Sequence, residues 1–260
     1  MRRRFFVDEV RNGHAQIEGD DARHLTRVLR VEVGQRYEIS DNRNVYLAEI
    51  ETARKESVVF RTLERLELPA PGPRLILCAA LIKFDHFEWC LEKATDLGVF
   101  EIVPLAATRS EKMLIAAAEK RSLRWKKILV ESAQQSRRLR PPVLGGVSRP
   151  VISFEEAVTS SRNIFLSENP EAQPMRKIFG PPKADKGGGS ELAAISQSEA
   201  PAIADSSVTL AIGPEGGWTD EEIKGACQAG FREVSLGRNI LRTETAVIAA
   251  LAIINYALGE

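Results

Sequence analysis

"IGPEGGW", residues 212–218, places three glycines, a proline and one glutamate between the apolar run "VTLA" (208–211) and "TDEEIKGACQAG" (219–230). The run reads as a strand and the following stretch as a helix, with Thr219 as its cap and Glu222 completing a capping box. Glycines gathered at such a junction let the chain turn sharply, or let a ligand reach its backbone. Phosphate is the common ligand of a strand–loop–helix junction. Here neither GxxxxGK[ST] nor GxGxxG occurs, and Glu215 would repel a phosphate at close range. The stretch is either a wall for a neutral or cationic ligand or only a tight turn into a capped helix. In the first case, a side chain at Gly216 is expected to block the ligand or to forbid the loop's backbone angles.

The next strand, "REVSL", runs into "LGRNILRTETA" (236–246). Gly237 again sits at the carboxyl end of a strand, where α/β sheets place their ligands. Arg242 and Glu244 follow it. Taken alone they are a helix N-terminal pair, with Glu244 favouring the dipole. Two glycine-bearing loops on successive strands make a site more credible than either loop alone, though without further context the helix N-terminal reading of Arg242 and Glu244 prevails.

Upstream, the same rhythm begins at residue 74. "RLILCAAL" is a near-continuous apolar strand. A helix starting at Asp85 puts Phe87, Leu91, Ala94 and Leu97 on one face and closes at Gly98. "FEIVPLA" is the next strand, and a βαβ unit requires a parallel sheet. A helix at about 119–138, a capped helix at "SFEEA", a strand "NIFLS", strand 208–212, helix 220–229 and helix 243–257 complete an α/β layer domain over 74–260. The Gly-, Pro-, Ala- and Ser-rich segment 180–207 has no steady period and reads as a flexible surface insertion without chemistry.

Residues 1–70 differ. "RYEIS" and "VYLAEIE" flank the turn sequence "DNRN", and "SVVFRTLE" alternates like a further strand. One short helix, with Asp21 as its cap and Leu25, Val28 and Leu29 at helical spacing, interrupts them. His24, Arg27 and Arg30 share its polar side. A small barrel-like module results, and "LPAPGP" (68–73) links it to the second domain.

Bulk composition excludes several classes. With 43% apolar and 28% charged residues the chain is an ordinary globule. It has no apolar run near the roughly 18–20 residues of a membrane span, and "MRRRFFVDEV" is not a secretory signal. Three scattered cysteines without CxxC spacing point to a reducing, cytoplasmic setting and away from zinc. Formal net charge is zero, yet residues 119–149 hold nine Lys or Arg against Glu119 and Glu131. Arg2, Arg3 and Arg4 open the chain. Two basic clusters in a neutral protein suit a polyanion as well as they suit solvated helix faces.

The pair "IGPEGGW" and "LGRNILRTETA" resembles the signature of the SPOUT methyltransferases, specifically the RsmE-like family that methylates uridine N3 in small-subunit ribosomal RNA. "RRFFVD", "HLTRVLRVEVG", "EKATDLGV", "IVPL" and "ESAQQSRR" resemble that family's stretches in the right order, over most of the chain. The departures are Asn42 in the hairpin turn and the insertion at 180–207, and neither touches the two loops. The resemblance implies a PUA-like RNA-binding β-barrel followed by an α/β domain whose C-terminal part forms a trefoil knot. It also implies S-adenosylmethionine as cofactor and a homodimer.

By that analogy the main chain of Gly213, Pro214, Glu215, Gly216 and Gly217 and of Leu236–Leu241 wraps the cofactor. Leu166 and Glu168 close the adenosine pocket, and Leu236, Gly237, Ile240 and Leu241 lie along the second loop. A sulfonium ligand without phosphate fits a glycine loop carrying Glu215. Arg242 becomes the group that stabilises the charge spread from uridine N3. Glu244 orients Arg242, accepts the proton, or only caps its helix. RNA contacts carry over as Arg3, Arg4, His24, Arg27 and Arg30 in the barrel, with Gln134, Gln135, Arg137 and Arg138 in the α/β domain. Trp89 and Trp125 lie near helical apolar stripes and read as core or interface. The competing reading is a non-catalytic RNA-binding assembly factor that kept the fold.

Overall fold

Alternation of inward and outward residues builds the first sheet in the computed structural model, which describes residues 3–157, 160, 162–179 and 207–258. In His14–Glu18 (β2) only Ala15 and Ile17 are buried, as period-two patterning requires. Its neighbours are Arg4–Phe6 (β1), Arg36–Ser40 (β3), Val45–Arg54 (β4) and Ser57–Leu66 (β5). The sheet order is β1-β3-β4-β5-β2. β1 and β3 run parallel, and the other pairs are antiparallel. Register shifts at Leu47/Ala48 and Ile50/Thr52 interrupt the long β4–β5 ladder, and such irregularities bend a sheet. The result is a half-barrel around Phe5, Ile17, Leu25, Ile39, Ile50 and Phe60.

The helix Gly19–Arg27 (α1) starts earlier than its sequence cap suggested. Glu18 is the N-cap, and Asp20 and Asp21 lie in the first turn, where carboxylates favour the dipole. Leu25 is buried, but Val28 is 64% exposed, so the apolar face is narrower than the spacing implied.

The second sheet is wholly parallel, in the order β10-β12-β9-β11-β6-β7-β8. Its strands are Arg74–Ala80 (β6), Glu101–Leu105 (β7), Val143–Leu144 (β8), Arg162–Leu166 (β9), Gln173–Pro174 (β10), Ser207–Ile212 (β11) and Arg232–Ser235 (β12). Central strands β6, β9 and β11 are almost continuously buried, which explains why they read as apolar runs without alternation. The helices are Phe84–Asp96 (α2), Lys112–Gln135 (α3), Pro150–Glu156 (α4), Arg176–Phe179 (α5), Asp220–Gln228 (α6) and Thr243–Leu258 (α7). α2 packs on α7, and α4 on α6. Phe154 of α4 and Ala226 of α6 share a core with Cys78, Phe165 and Ala211 of the sheet.

Three boundaries move. α3 begins at Lys112 rather than near 119 and ends at Gln135, because Arg137 leaves the helical region with φ 54°. α4 begins at Pro150, which suits a first helical position, and Ser153 lies buried inside it rather than capping it. Of the expected insertion 180–207, residues 180–206 lie outside the described residues, as does Arg2, and Ser207 already belongs to β11.

The chain divides into two compact units: residues up to Ala70 with Leu129–Pro142, and Pro71–Ile128 with Val143 onward. Leu129–Pro142, which the sequence assigned to the second domain, therefore clusters with the half-barrel. Ser40 Oγ donates to the Leu139 carbonyl at 2.6 Å. Glu38 takes Arg4 at 2.8 Å and faces Arg137 at 3.7 Å. Among the described residues no helix is long and apolar enough to cross a membrane.

Candidate active site

Three neighbouring strands, β9, β11 and β12, end side by side in the order β12-β9-β11. The loops that leave their carboxyl ends line a cleft of about 770 Å³, the place where a parallel sheet presents backbone groups to a ligand. Every cofactor residue expected from the sequence lies on this wall: Leu166 and Glu168 after β9, Gly213, Pro214, Glu215, Gly216 and Gly217 after β11, and Leu236, Gly237, Ile240 and Leu241 after β12. Arg242 lines it too.

The loops are fastened to one another. Trp218 Nε1 donates to the Leu166 carbonyl at 2.8 Å, joining the β11 loop to the end of β9. Thr243 Oγ1 donates to the Gly213 carbonyl at 3.2 Å, joining it to the start of α7. Arg109 Nη1 donates to the Gly216 carbonyl at 2.7 Å. Within the loop, Gly217 N donates to the Pro214 carbonyl at 2.8 Å and closes a tight turn. Glu222 does more than cap its helix. One carboxylate oxygen accepts from Thr219 N at 2.9 Å, and the other from Thr108 N at 2.8 Å, tying the β7–α3 loop to α6.

The glycines divide by what each position demands. Gly217 and Gly237 have φ of 70° and 143°, a region L side chains rarely adopt. At Gly213 a Cβ would stand 3.0 Å from the Trp218 ring. Gly216 has no such φ, and its Cβ would meet the aliphatic part of Arg109 at 3.3 Å. The restrictive backbone angle thus lies at Gly217 rather than at Gly216, and the tightest steric contact lies at Gly213.

Arg242 is exposed and, among the described residues, has no side-chain partner. Glu244 does not orient it. Glu244 is 8% exposed, and its Oε1 lies 3.1 Å from His86 Nδ1, while Oε2 has no partner among the described residues. His86 stands on α2 and lines the cleft with Lys83, Arg109, Arg238 and Asn239. Sequence reasoning missed His86, Lys83, Arg109 and Trp218. Trp218 alone carried a signal, a large aromatic directly after the glycines.

The RNA-contact candidates all fall in the first unit. Arg27 and Arg30 are exposed, as are Gln135 and Arg137, whereas Arg3, His24 and Gln134 are half-buried. Two candidates are less available than expected. Arg4 is largely buried and bonds Glu38 through both Nε and Nη2. Arg138 is half-buried, and burial, with Arg140 beside it, lowers its pKa to about 10. Trp125 is core, packed on Phe87, but Trp89 is 42% exposed.

The chain is similar to known RNA methyltransferases over most of its length. An RNA methyltransferase domain matches residues 69–255, and an RNA methyltransferase PUA domain matches residues 17–63. The chain is 34% identical over 240 residues to the ribosomal RNA small subunit methyltransferase E of Synechocystis sp., covering 90% of this chain and 70% of that one. To the protein of the same name from Rickettsia conorii it is 29% identical, covering 93% and 89%. Among solved structures, a Legionella pneumophila methyltransferase in complex with the cofactor SAM is similar, with TM-score 0.79 and 26% identity over 99% of this chain and 98% of that one. The ribosomal RNA small subunit methyltransferase E of Neisseria gonorrhoeae bound to S-adenosyl methionine gives 0.75 and 26%, over 98% of each. The chain belongs to the RNA methyltransferase domain family.

Proposed function

We propose that this chain is a cytoplasmic homodimer that transfers a methyl group from S-adenosylmethionine to N3 of a uridine in small-subunit ribosomal RNA. The observation that carries the reading is the cleft where three glycine-bearing or strand-end loops, cross-bonded through Trp218 and Thr243, meet at the carboxyl ends of adjacent parallel strands. Both similar solved structures hold that cofactor by name, and the curated relatives are named for the small-subunit RNA.

The wall suits S-adenosylmethionine chemically. It offers main-chain groups of Gly213–Gly217 and Leu236–Leu241 for adenine edges, and Ile240, 74% exposed at the rim, for an apolar face. Glu168 and Glu215 favour a cation. The bound cofactor supplies an electrophilic methyl group. The chain's own part is to exclude water, align the uridine, and stabilise the negative charge that N3 spreads onto its flanking carbonyls, the role of Arg242. Lys83, Arg109 and Arg238 give the same cleft a basic surround for phosphate.

The trefoil knot belongs to this reading. In the sheet β12 lies outside β9, although β10, α5, β11 and α6 separate the two in the chain, and the last helix, α7, then packs on α2 and β11. So does the homodimer: Trp89 of α2 and Ile253 and Tyr256 of α7 remain exposed on two helices that pack together. RNA binding falls to the first unit, chiefly to its exposed Arg27, Arg30, Gln135 and Arg137.

Calorimetry with S-adenosylmethionine, followed by methyl incorporation into small-subunit RNA, tests the proposal. Cofactor binding without incorporation into any RNA would leave the assembly-factor reading. Salt dependence tests the RNA surface. Replacing Arg27 and Arg30 together by Gln should flatten the slope of log affinity against log salt by roughly one to two units. An unchanged slope would put the phosphates elsewhere.

A further inference from the structure

Uridine N3 carries a proton that must leave before it can attack, and the cleft holds a group placed to take it. We propose that His86 is the general base of the methyl transfer and that Glu244 holds and polarises it. This inference rests on the uridine-N3 reading above.

The pair joins two distant helices. His86 Nδ1 lies 3.1 Å from Glu244 Oε1. An ionised carboxylate only accepts, so the Nδ1 atom carries the proton and Nε2 keeps its lone pair. His86 lines the cleft and its side chain is one-third exposed, whereas Glu244 is buried behind it and does not line the cleft. The carboxylate thus reaches substrate only through the imidazole, the arrangement by which a buried acid fixes the tautomer of a catalytic histidine and stabilises the imidazolium. Glu244 Oε2 is buried and has no partner among the described residues, so the contact with His86 is that carboxyl group's one side-chain hydrogen bond among them.

The other charged groups nearby do not displace the pair. Asp85 on α2 is exposed and stands 3.7 Å from Nε2, too far for a hydrogen bond. Lys83 and Arg242 line the same cleft and offer donors rather than a lone pair. Cys90, also on α2, stays a thiol, because burial and then the Glu244 charge push its pKa up to about 12.

In the step, the N3–H bond breaks and its proton passes to His86 Nε2. The freed electron pair of N3 forms the bond to the methyl carbon. The carbon–sulfur bond breaks with its pair going to sulfur, so the sulfonium becomes a neutral thioether. Arg242, exposed at the cleft, is the group available to the transient charge on the carbonyl oxygens, and the imidazolium returns its proton to water.

Single-turnover methylation at saturating S-adenosylmethionine, across a pH series, tests the assignment. His86→Asn, folded by circular dichroism, should lose about a hundredfold or more in rate and lose the rise of rate with pH, while cofactor affinity stays within a few-fold. Added imidazole should restore part of the rate to His86→Ala. Glu244→Gln should slow the reaction and move the rising limb to lower pH, because the imidazolium loses its carboxylate. A His86→Asn protein with the wild-type rate and pH profile, or one slowed with the profile intact and no imidazole rescue, would overturn the proposal. Product analysis of the wild type separates the two levels: 3-methyluridine with an unaffected His86→Asn rejects the pair alone, whereas a different methylated atom rejects the reading beneath it.

Discussion

Gly213→Val is expected to abolish S-adenosylmethionine binding in a protein that still folds. A Cβ at this position would stand 3.0 Å from Trp218 Cε2 and 3.2 Å from Cδ2 and Nε1, closer than carbon atoms pack without displacement. Trp218 cannot yield cheaply. It is 8% exposed, packs edge-on against Phe154 at 5.9 Å, and is pinned to the Leu166 carbonyl. Moving the ring breaks that bond, worth about 1 kcal/mol net and more if the buried carbonyl is left unpaired. The carbonyl of Gly213 itself holds Thr243, so all three loops of the cleft shift together. Gly216→Val should be milder, because the atoms it meets belong to the exposed, flexible Arg109 side chain. Isothermal calorimetry on both variants checks the contrast. Normal affinity in folded Gly213→Val would mean that the fastened loops do not form the cofactor wall.

Arg242→Ala should do the opposite, sparing cofactor affinity within a few-fold and slowing transfer by about a hundredfold, on the order of 3 kcal/mol. The guanidinium is exposed at the cleft and, among the described residues, bonded to nothing, so its removal leaves no partner stranded and little structural penalty. A group that acts only on charge developing in the transition state lowers the rate and leaves ground-state binding alone. Single-turnover rates beside calorimetry make the distinction. Lost cofactor binding with an unchanged rate at saturation would make Arg242 a binding residue.

Which parts of this site could be read from the sequence follows from how local each one is. Glycines at the ends of strands announce themselves, since φ of 70° at Gly217 is strained for most side chains and a Cβ at Gly213 would press on the Trp218 ring. The capping box of Thr219 and Glu222 is likewise written within four residues. The His86–Glu244 contact spans 158 positions, and no spacing rule reaches that far. Glu244 was read as a helix N-terminal acid, which it is, but only the packing of α2 on α7 supplies its partner. Arg109 and Thr108 sit on a loop without motif and gain their roles from Gly216 and Glu222 across the sheet.

The fold shows the same division. Apolar runs and helical spacing located the parallel strands and most helices. The two-residue strands β8 and β10 are too short to carry a pattern. Leu129–Pro142 looks like a continuation of its own helix. It clusters with the half-barrel through contacts such as Ser40 to Leu139, which no local period encodes. Among the arginines, which composition could only group into basic clusters, the structure separates exposed Arg27 and Arg30 from Arg4, which is committed to Glu38.

The most direct test of the account is to identify the modified atom. Small-subunit ribosomal RNA from cells lacking this protein, incubated with the purified chain and S-adenosylmethionine, is digested to nucleosides and analysed by mass spectrometry against standards. A single new product, 3-methyluridine, is expected, formed by the wild type and strongly reduced with Arg242→Ala. A methyl group on a ribose oxygen, on another base atom, or on no RNA despite normal cofactor binding would contradict it.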